Sequence, residues 1–218
     1  MAKTWRSFPG QSGAMIKLQH KLPRDIFVAC SGGVDSMAVF DFLHRNHNLT
    51  LCFFDHGTET SKKALEFVSE QAVAYNVGFV YGSISKQYNK ASEESWEEYW
   101  RIKRYEYFHS FNAPVITAHH LDDCVETWVW SSMHGQGKII PYNNRNVIRP
   151  FRLTRKRDLE LWADLKSVPY IEDESNKDTR FTRNYIRHEM MPNVLRVNPG
   201  IHKVIAKKVK ADESWIKS

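Results

Sequence analysis

A short glycine-rich segment has the residue types that bind phosphate. It directly follows an apolar run, residues 26–30, and an amphipathic helix pattern begins at its fourth residue. Glycines let the backbone approach an anion closely, and the N–H groups at the start of the next helix face it. The Gly-Lys-Ser/Thr ending of a Walker loop is missing. We predict a phosphate loop of another kind, with a ligand-free glycine turn as the alternative, formed by Ser31, Gly32, Gly33, Val34, Asp35 and Ser36.

A second cluster places acids beside paired histidines. If a helix begins near Leu121, Asp123 and Glu126 are three residues apart and share one face. Carboxylates in this arrangement can hold Mg²⁺ or a cationic substrate. Helix capping is the alternative, since acids are favoured in a first turn. Capping does not account for the whole cluster, which consists of His119, His120, Asp122, Asp123 and Glu126.

Two arginine pairs complete the candidate chemistry. Arg183 and Arg187 are four residues apart, so both guanidinium groups project from one helical face, and such forks suit phosphate oxygens. Arg101 and Arg104 stand in a similar helical row with Glu97 and Tyr105. In both cases a salt-bridged surface helix is the alternative.

The elements that must position these residues alternate along the chain. This alternation predicts right-handed crossovers and an α/β, doubly wound, mostly parallel five-stranded sheet. Ligands of such sheets lie at the carboxyl ends of strands. The glycine loop, Asp55-His56-Gly57 and Ala118-His119-His120 all follow predicted strands. The predicted strands are 26–30, 49–54, 77–81, 114–118 and 146–149, and the predicted helices between them are 34–46, 61–75, 93–111 and 121–133.

The alternation weakens after about residue 135. We expect a nucleotide-binding domain over residues 1–140 and a basic helical extension over 141–218, with helices at 154–166, 183–197 and from Ile201 onward. The chain has 31 basic and 25 acidic residues and a formal net charge of +6. Basic residues are dense from Arg145 to Arg157, which suits nucleic-acid phosphates, although an ordinary basic enzyme is an equal interpretation of the charge.

The three cysteines are too few and too scattered for a disulfide framework, and none forms a Cys-x-x-Cys pair. Residues 1–13 do not resemble a signal peptide, and no apolar run reaches the roughly twenty residues that span a bilayer. These features predict a cytoplasmic protein without membrane attachment.

Taken together, the segments resemble the tRNA(Ile)-lysidine synthetases, a branch of the enzymes with a pyrophosphatase loop. The similarity runs in the family's order from residue 26 to about 192. The glycine loop stands where other nucleotide-binding enzymes have a Walker motif. The last two segments given below distinguish this branch from the other enzymes with a pyrophosphatase loop. The matching segments are Ser31–Ser36, Asp55-His56-Gly57, Arg101-x-x-Arg104-Tyr105, Ala118-His119-His120-x-Asp122-Asp123-x-x-Glu126-Thr127, Arg149-Pro150, Glu172-Asp173-x-Ser175-Asn176 and Arg183-Asn184-x-Ile186-Arg187-His188-Glu189.

The resemblance implies a Rossmann-like fold of the adenine-nucleotide hydrolase type and an enzyme that joins free lysine to C2 of the wobble cytidine in a tRNA(Ile) with a CAU anticodon. ATP would adenylate the cytidine, and AMP and pyrophosphate would be released. It implies a nucleotide site at Ser31–Ser36, Asp55, His56 and His119, with Mg²⁺ on Asp35. Asp122, Asp123, Glu126, Arg149 and Asn184 would bind substrate, and the catalytic set would be Asp35, Asp123, Glu126, Arg101, Arg104, Arg183 and Arg187.

The sequence departs from the family in two respects. Thr58 and Glu59 follow His56-Gly57, where the family has Leu-Arg. The family also carries C-terminal tRNA-binding domains, so we expect a short form. Two alternatives stay open: a tRNA sulfur transferase that uses the same adenylate, and a non-catalytic tRNA-binding derivative.

Overall fold

The computed structural model describes residues 16–84, 95–172 and 178–212. Its sheet has the order β3-β2-β1-β4-β6-β5, and every neighbouring pair is parallel except β5 and β6. This confirms the mostly parallel sheet. The strands are β1 (Asp25–Ala29), β2 (Asn48–Asp55), β3 (Gly78–Ser83), β4 (Val115–Ile116), β5 (Asn143–Asn144) and β6 (Val147–Ile148).

The expected number of five strands was wrong, because β5 adds a sixth. It pairs with β6 through a tight turn in which Arg145 has a φ of 53°. A two-residue strand of asparagines has none of the apolar alternation that marks a strand in a sequence.

Helices follow each of the first four strands, as predicted. The helices are α1 (Val34–His44), α2 (Glu59–Ala74), α3 (Trp96–His109), α4 (Leu121–Met133), α5 (Lys156–Lys166), α6 (Thr182–Tyr185), α7 (Met191–Val197) and α8 (Ile201–Ala211). The single helix expected over 183–197 is instead α6, a π-helical segment (Ile186–Met190) and α7. Wider π turns of this kind are frequent at functional sites.

The two faces of the sheet pack against different helices. Val28 and Leu51 lie in a large core with residues of α1, α2 and α5, whereas Cys52 on the opposite face packs with Phe108 of α3. Successive side chains of a strand point to opposite faces, so both faces are covered. This arrangement confirms the doubly wound architecture.

A separate core attaches the C-terminal helices to α4. Val125 and Val129 of α4 are buried with Ile205 and Val209 of α8. The strands β5 and β6 lie after residue 140 and belong to the sheet, so the sheet extends beyond the predicted domain boundary. Across the described ranges, no helix is both long enough and apolar enough to cross a bilayer.

Candidate active site

The glycine loop forms a tight connection between β1 and α1. Gly32 has a φ of +84°, and a Cβ built on it would lie 3.1 Å from the side chain of Ile171. Ser36 Oγ donates to the Gly33 carbonyl at 2.9 Å and accepts from the Ser31 N–H at 3.2 Å. The loop is therefore held from within, and it leads directly into the N-terminus of α1, where an anion is favoured.

A cavity of about 590 Å³ opens at the carboxyl ends of the parallel strands. Its wall combines the glycine loop, the ends of β2 and β4, and residues of α3, α4 and α6. It thus brings together clusters that are far apart in sequence, from Ser31 to Arg187. The predicted site residues in its wall are Ser31, Asp35, Ser36, His56, Arg104, His119, Asp123, Arg183, Asn184 and Arg187.

His120 links the glycine loop to the acidic helix. Its Nε2 lies 3.5 Å from Asp35 Oδ2. Its Nδ1 accepts from the Asp123 N–H at 3.2 Å, and Asp123 Oδ2 accepts from the His120 N–H at 3.0 Å, so the two residues cap α4 reciprocally. Burial disfavours the charged imidazole, but Asp123 and Asp35 outweigh it and raise the pKa of His120.

Two carboxylates and two guanidinium groups form a compact, charge-balanced cluster. Asp123 Oδ1 accepts from Arg183 at 2.7 Å and from Arg187 at 3.1 Å. Glu126 accepts from the Nε and Nη2 of Arg187 at 2.9 and 3.0 Å. Burial raises the pKa of Asp123, but His120 and Arg183 more than offset it and hold the pKa below its usual range. Asp123 is therefore ionised, and it shares one helical face with Glu126, as predicted.

Two buried polar atoms of the cavity region have no hydrogen-bond partner among the described residues: Asp35 Oδ1 and His56 Nδ1. Burial, together with the charge of Arg104, lowers the pKa of His56 to about 4, so its imidazole is neutral. Within the described ranges no three His, Cys, Asp or Glu side chains converge as a metal cage. A single free carboxylate oxygen fits Mg²⁺, which commonly takes one or two protein carboxylates and completes its shell with substrate phosphates and water.

Several predicted site residues lie outside the cavity wall. Asp122 accepts from Arg155, from the Lys156 N–H and from His202, so it joins α4 to α5 and α8. Arg149 is buried and donates to the Pro141 carbonyl and the Tyr105 hydroxyl. Neither residue lines the cavity, and both side chains are engaged by other parts of the protein.

Three further predicted residues are also outside the cavity wall. Arg101 is exposed, and its guanidinium carbon lies 5.6 Å from the centroid of the Tyr105 ring. Asp55 accepts from the Gly57 N–H at 2.8 Å, and Glu126 pairs with Arg187. Within the basic stretch 145–157, Arg152 is fully buried and pairs with Asp212, so this stretch presents fewer free cations than its composition suggests. The motif at 172–176 lies, apart from Glu172, outside the described residues.

Sequence reasoning missed residues that only the fold brings to the cavity. Thr117, which directly follows β4, lines the wall, and its hydroxyl lies 2.8 Å from His119 Nδ1. Burial lowers the pKa of His119 well below its usual value. Trp100 also lines the wall, and its position four residues before Arg104 was the one available signal.

A family model described as a PP-loop domain matches residues 11–194, which includes the glycine loop, the acidic helix and both arginines of the cluster. The chain belongs to the PP-loop domain family. The match covers all of the strands and the helices α1–α7 except the last residues of α7.

Curated relatives of this PP-loop domain are tRNA(Ile)-lysidine synthases. That of Thermosipho africanus is 32% identical over 201 residues, which are 85% of this chain and 47% of the relative. That of Francisella tularensis is 28% identical over 208 residues, 85% of this chain and 50% of the relative. The chain thus spans about half the length of the curated relatives it matches. A solved NH₃-dependent NAD synthetase from Campylobacter jejuni is similar at 16% identity and a TM-score of 0.47, covering 87% of this chain and 85% of its own.

Proposed function

We propose that this chain catalyses ATP-dependent modification of tRNA: it adenylates the oxygen on C2 of the wobble cytidine of a tRNA(Ile) with a CAU anticodon and replaces AMP by lysine. One observation carries the proposal. The PP loop with Asp35 and the charged cluster around Asp123 face one cavity, linked by His120. Relatives named tRNA(Ile)-lysidine synthase support the same chemistry.

The first step forms a bond between cytidine O2 and the α-phosphorus of ATP, and pyrophosphate leaves. The N-terminus of α1 and the loop serines would hold the phosphates. Arg104 and Arg183, both in the cavity wall, would stabilise the negative charge that develops on the phosphoryl oxygens. Asp35 would hold Mg²⁺, which neutralises phosphate charge when bound.

In the second step, a lysine amine attacks C2 and AMP departs with the former O2. The amine enters as an ammonium ion and must lose a proton before it attacks. Asp123 and Glu126 would bind it, and one of them would accept the proton. Because Arg183 and Arg187 already balance these carboxylates, we expect phosphate to draw at least one arginine away and so free negative charge for lysine.

The exposed face of α8 is a candidate surface for RNA binding outside the cavity. Lys203, Lys207, Lys208 and Lys210 are all exposed, while Ile205 and Val209 face the core. We propose that this lysine face binds tRNA phosphates. Each lost phosphate contact lowers the slope of log affinity against log salt by about one, which Lys207→Gln and Lys208→Gln would test.

A sulfur transferase is less well supported. Cys30 and Cys52 line the cavity, but burial raises the pKa of both thiols and so disfavours the nucleophilic thiolate. Cys124 is also buried and its pKa is raised to about 12.

The test is mass spectrometry of nucleosides from tRNA(Ile) incubated with the protein, ATP and lysine, with nucleotide products analysed in parallel. We expect lysine incorporated at the wobble cytidine, with one AMP and one pyrophosphate released. Asp35→Asn should abolish both products while the protein stays folded. Release of ADP and phosphate, or tRNA binding without any modification, would contradict the proposal.

A further inference from the structure

Three aromatic rings connect the cavity with the protein surface. Trp100 of α3 lines the cavity, and its ring centroid lies 5.6 Å from His56 and 6.0 Å from Trp96. Trp96 is 53% exposed and is not part of the cavity wall. The rings thus form a row from the inner wall to solvent.

The helical repeat explains how α3 builds this row. Trp96, Trp100 and Arg104 are spaced by four residues, so they lie along one face of the helix. Arg104 is also in the cavity wall. The face therefore presents aromatic rings at its outer end and a cation at its inner end. Proteins bind single-stranded nucleic acid with this combination, in which bases stack on rings and cations meet phosphates.

We propose that Trp96 and Trp100 form a stacking platform for an unpaired base of the RNA loop, next to the cytidine that enters the cavity. The inference rests on the proposed function. A base stacked there would hold the RNA loop at the cavity entrance, while the neighbouring cytidine reaches the phosphates of ATP. Adenine of ATP is the other flat ring in the reaction, but a small ligand enclosed in the cavity would not contact Trp96, whereas a continuous RNA strand leads past it.

The platform can be tested by binding of a labelled anticodon stem-loop with cytidine at the wobble position, together with calorimetric binding of ATP alone. Trp100→Ala and Trp96→Ala should each weaken RNA binding about 5- to 150-fold, the usual loss for one base stack. ATP binding should not change in Trp96→Ala, because Trp96 is outside the cavity wall. Trp100→Phe should keep most of the RNA affinity, because phenylalanine still offers a ring. Trp130→Ala is the matched control, since Trp130 is 41% exposed and outside the cavity wall.

Stem-loops with an abasic site on either side of the wobble cytidine identify the stacked base. When the abasic site replaces the base that stacks on Trp100, Trp100→Ala should cause no further loss of RNA affinity, because that stacking interaction is already absent. Weakened ATP binding with unchanged RNA binding would overturn the inference in favour of an adenine site. Unchanged binding of both would leave the rings as packing residues and also overturn it. Lysine incorporation by the unmodified protein is measured separately: its failure refutes the proposed function, whereas success with unaffected tryptophan variants refutes only the platform.

Discussion

Arg187 provides the sharpest test of the charged cluster. Its guanidinium donates to Asp123 and to both oxygens of Glu126, whose side chains are only 7% and 9% exposed. Arg187→Gln leaves Arg183 as the remaining arginine beside two buried carboxylates. Removing one partner of a buried ion pair costs about 3–5 kcal/mol. Because Arg187 is 24% exposed, we expect the low end, about 3 kcal/mol.

The assay is urea unfolding followed by circular dichroism near neutral pH. For a chain of this size the same loss lowers the melting temperature by about 6–12 °C. Combining Arg187→Gln with Glu126→Gln removes one charge of each sign, so the double variant should regain much of the stability. Arg180→Gln is the control, because Arg180 pairs with Asp178 at the surface and its loss should not change the free energy of unfolding measurably. If Arg187→Gln unfolds at the wild-type urea concentration, or the double variant is less stable still, the cluster does not stabilise the fold as reasoned.

Three further outcomes follow from the geometry. Gly32→Ala should block ATP binding and destabilise the loop, since φ is +84° and Ile171 stands 3.1 Å from the new Cβ; calorimetry with ATP checks this. Asp122→Asn should weaken attachment of α8 through His202, seen as faster hydrogen exchange in α8, while α1 exchanges as before. The pKa of His120 is raised from 6.5, so its contribution to stability is present below pH 6.5 and is lost as pH rises through the folded pKa. The difference in unfolding free energy between wild type and His120→Gln should therefore become smaller as pH rises, and a difference that does not change with pH would contradict this.

Local patterns were sufficient to predict most of the fold. Apolar runs followed by amphipathic periodicity predicted five strands and the helices between them, because strand and helix periods are properties of short segments. The parallel sheet then placed the glycine loop, His56 and His119 at one edge, since the carboxyl ends of parallel strands meet there. The two-residue β5 and the π-helical segment at 186–190 were missed, because neither has a distinct periodicity.

The sequence by itself therefore determined which residue types stand at the strand ends, and with them the phosphate loop and an acidic helix start. Only the tertiary structure decided the partner of each charge. Asp122 and Asp123 are adjacent and chemically identical, yet about 100° of helical rotation turns one toward His202 and the other toward Arg183. Arg152 and Arg187 likewise look alike in the sequence, but one is buried beside Asp212 and the other lines the cavity. Charge pairing depends on which helices pack together, and that information is not local.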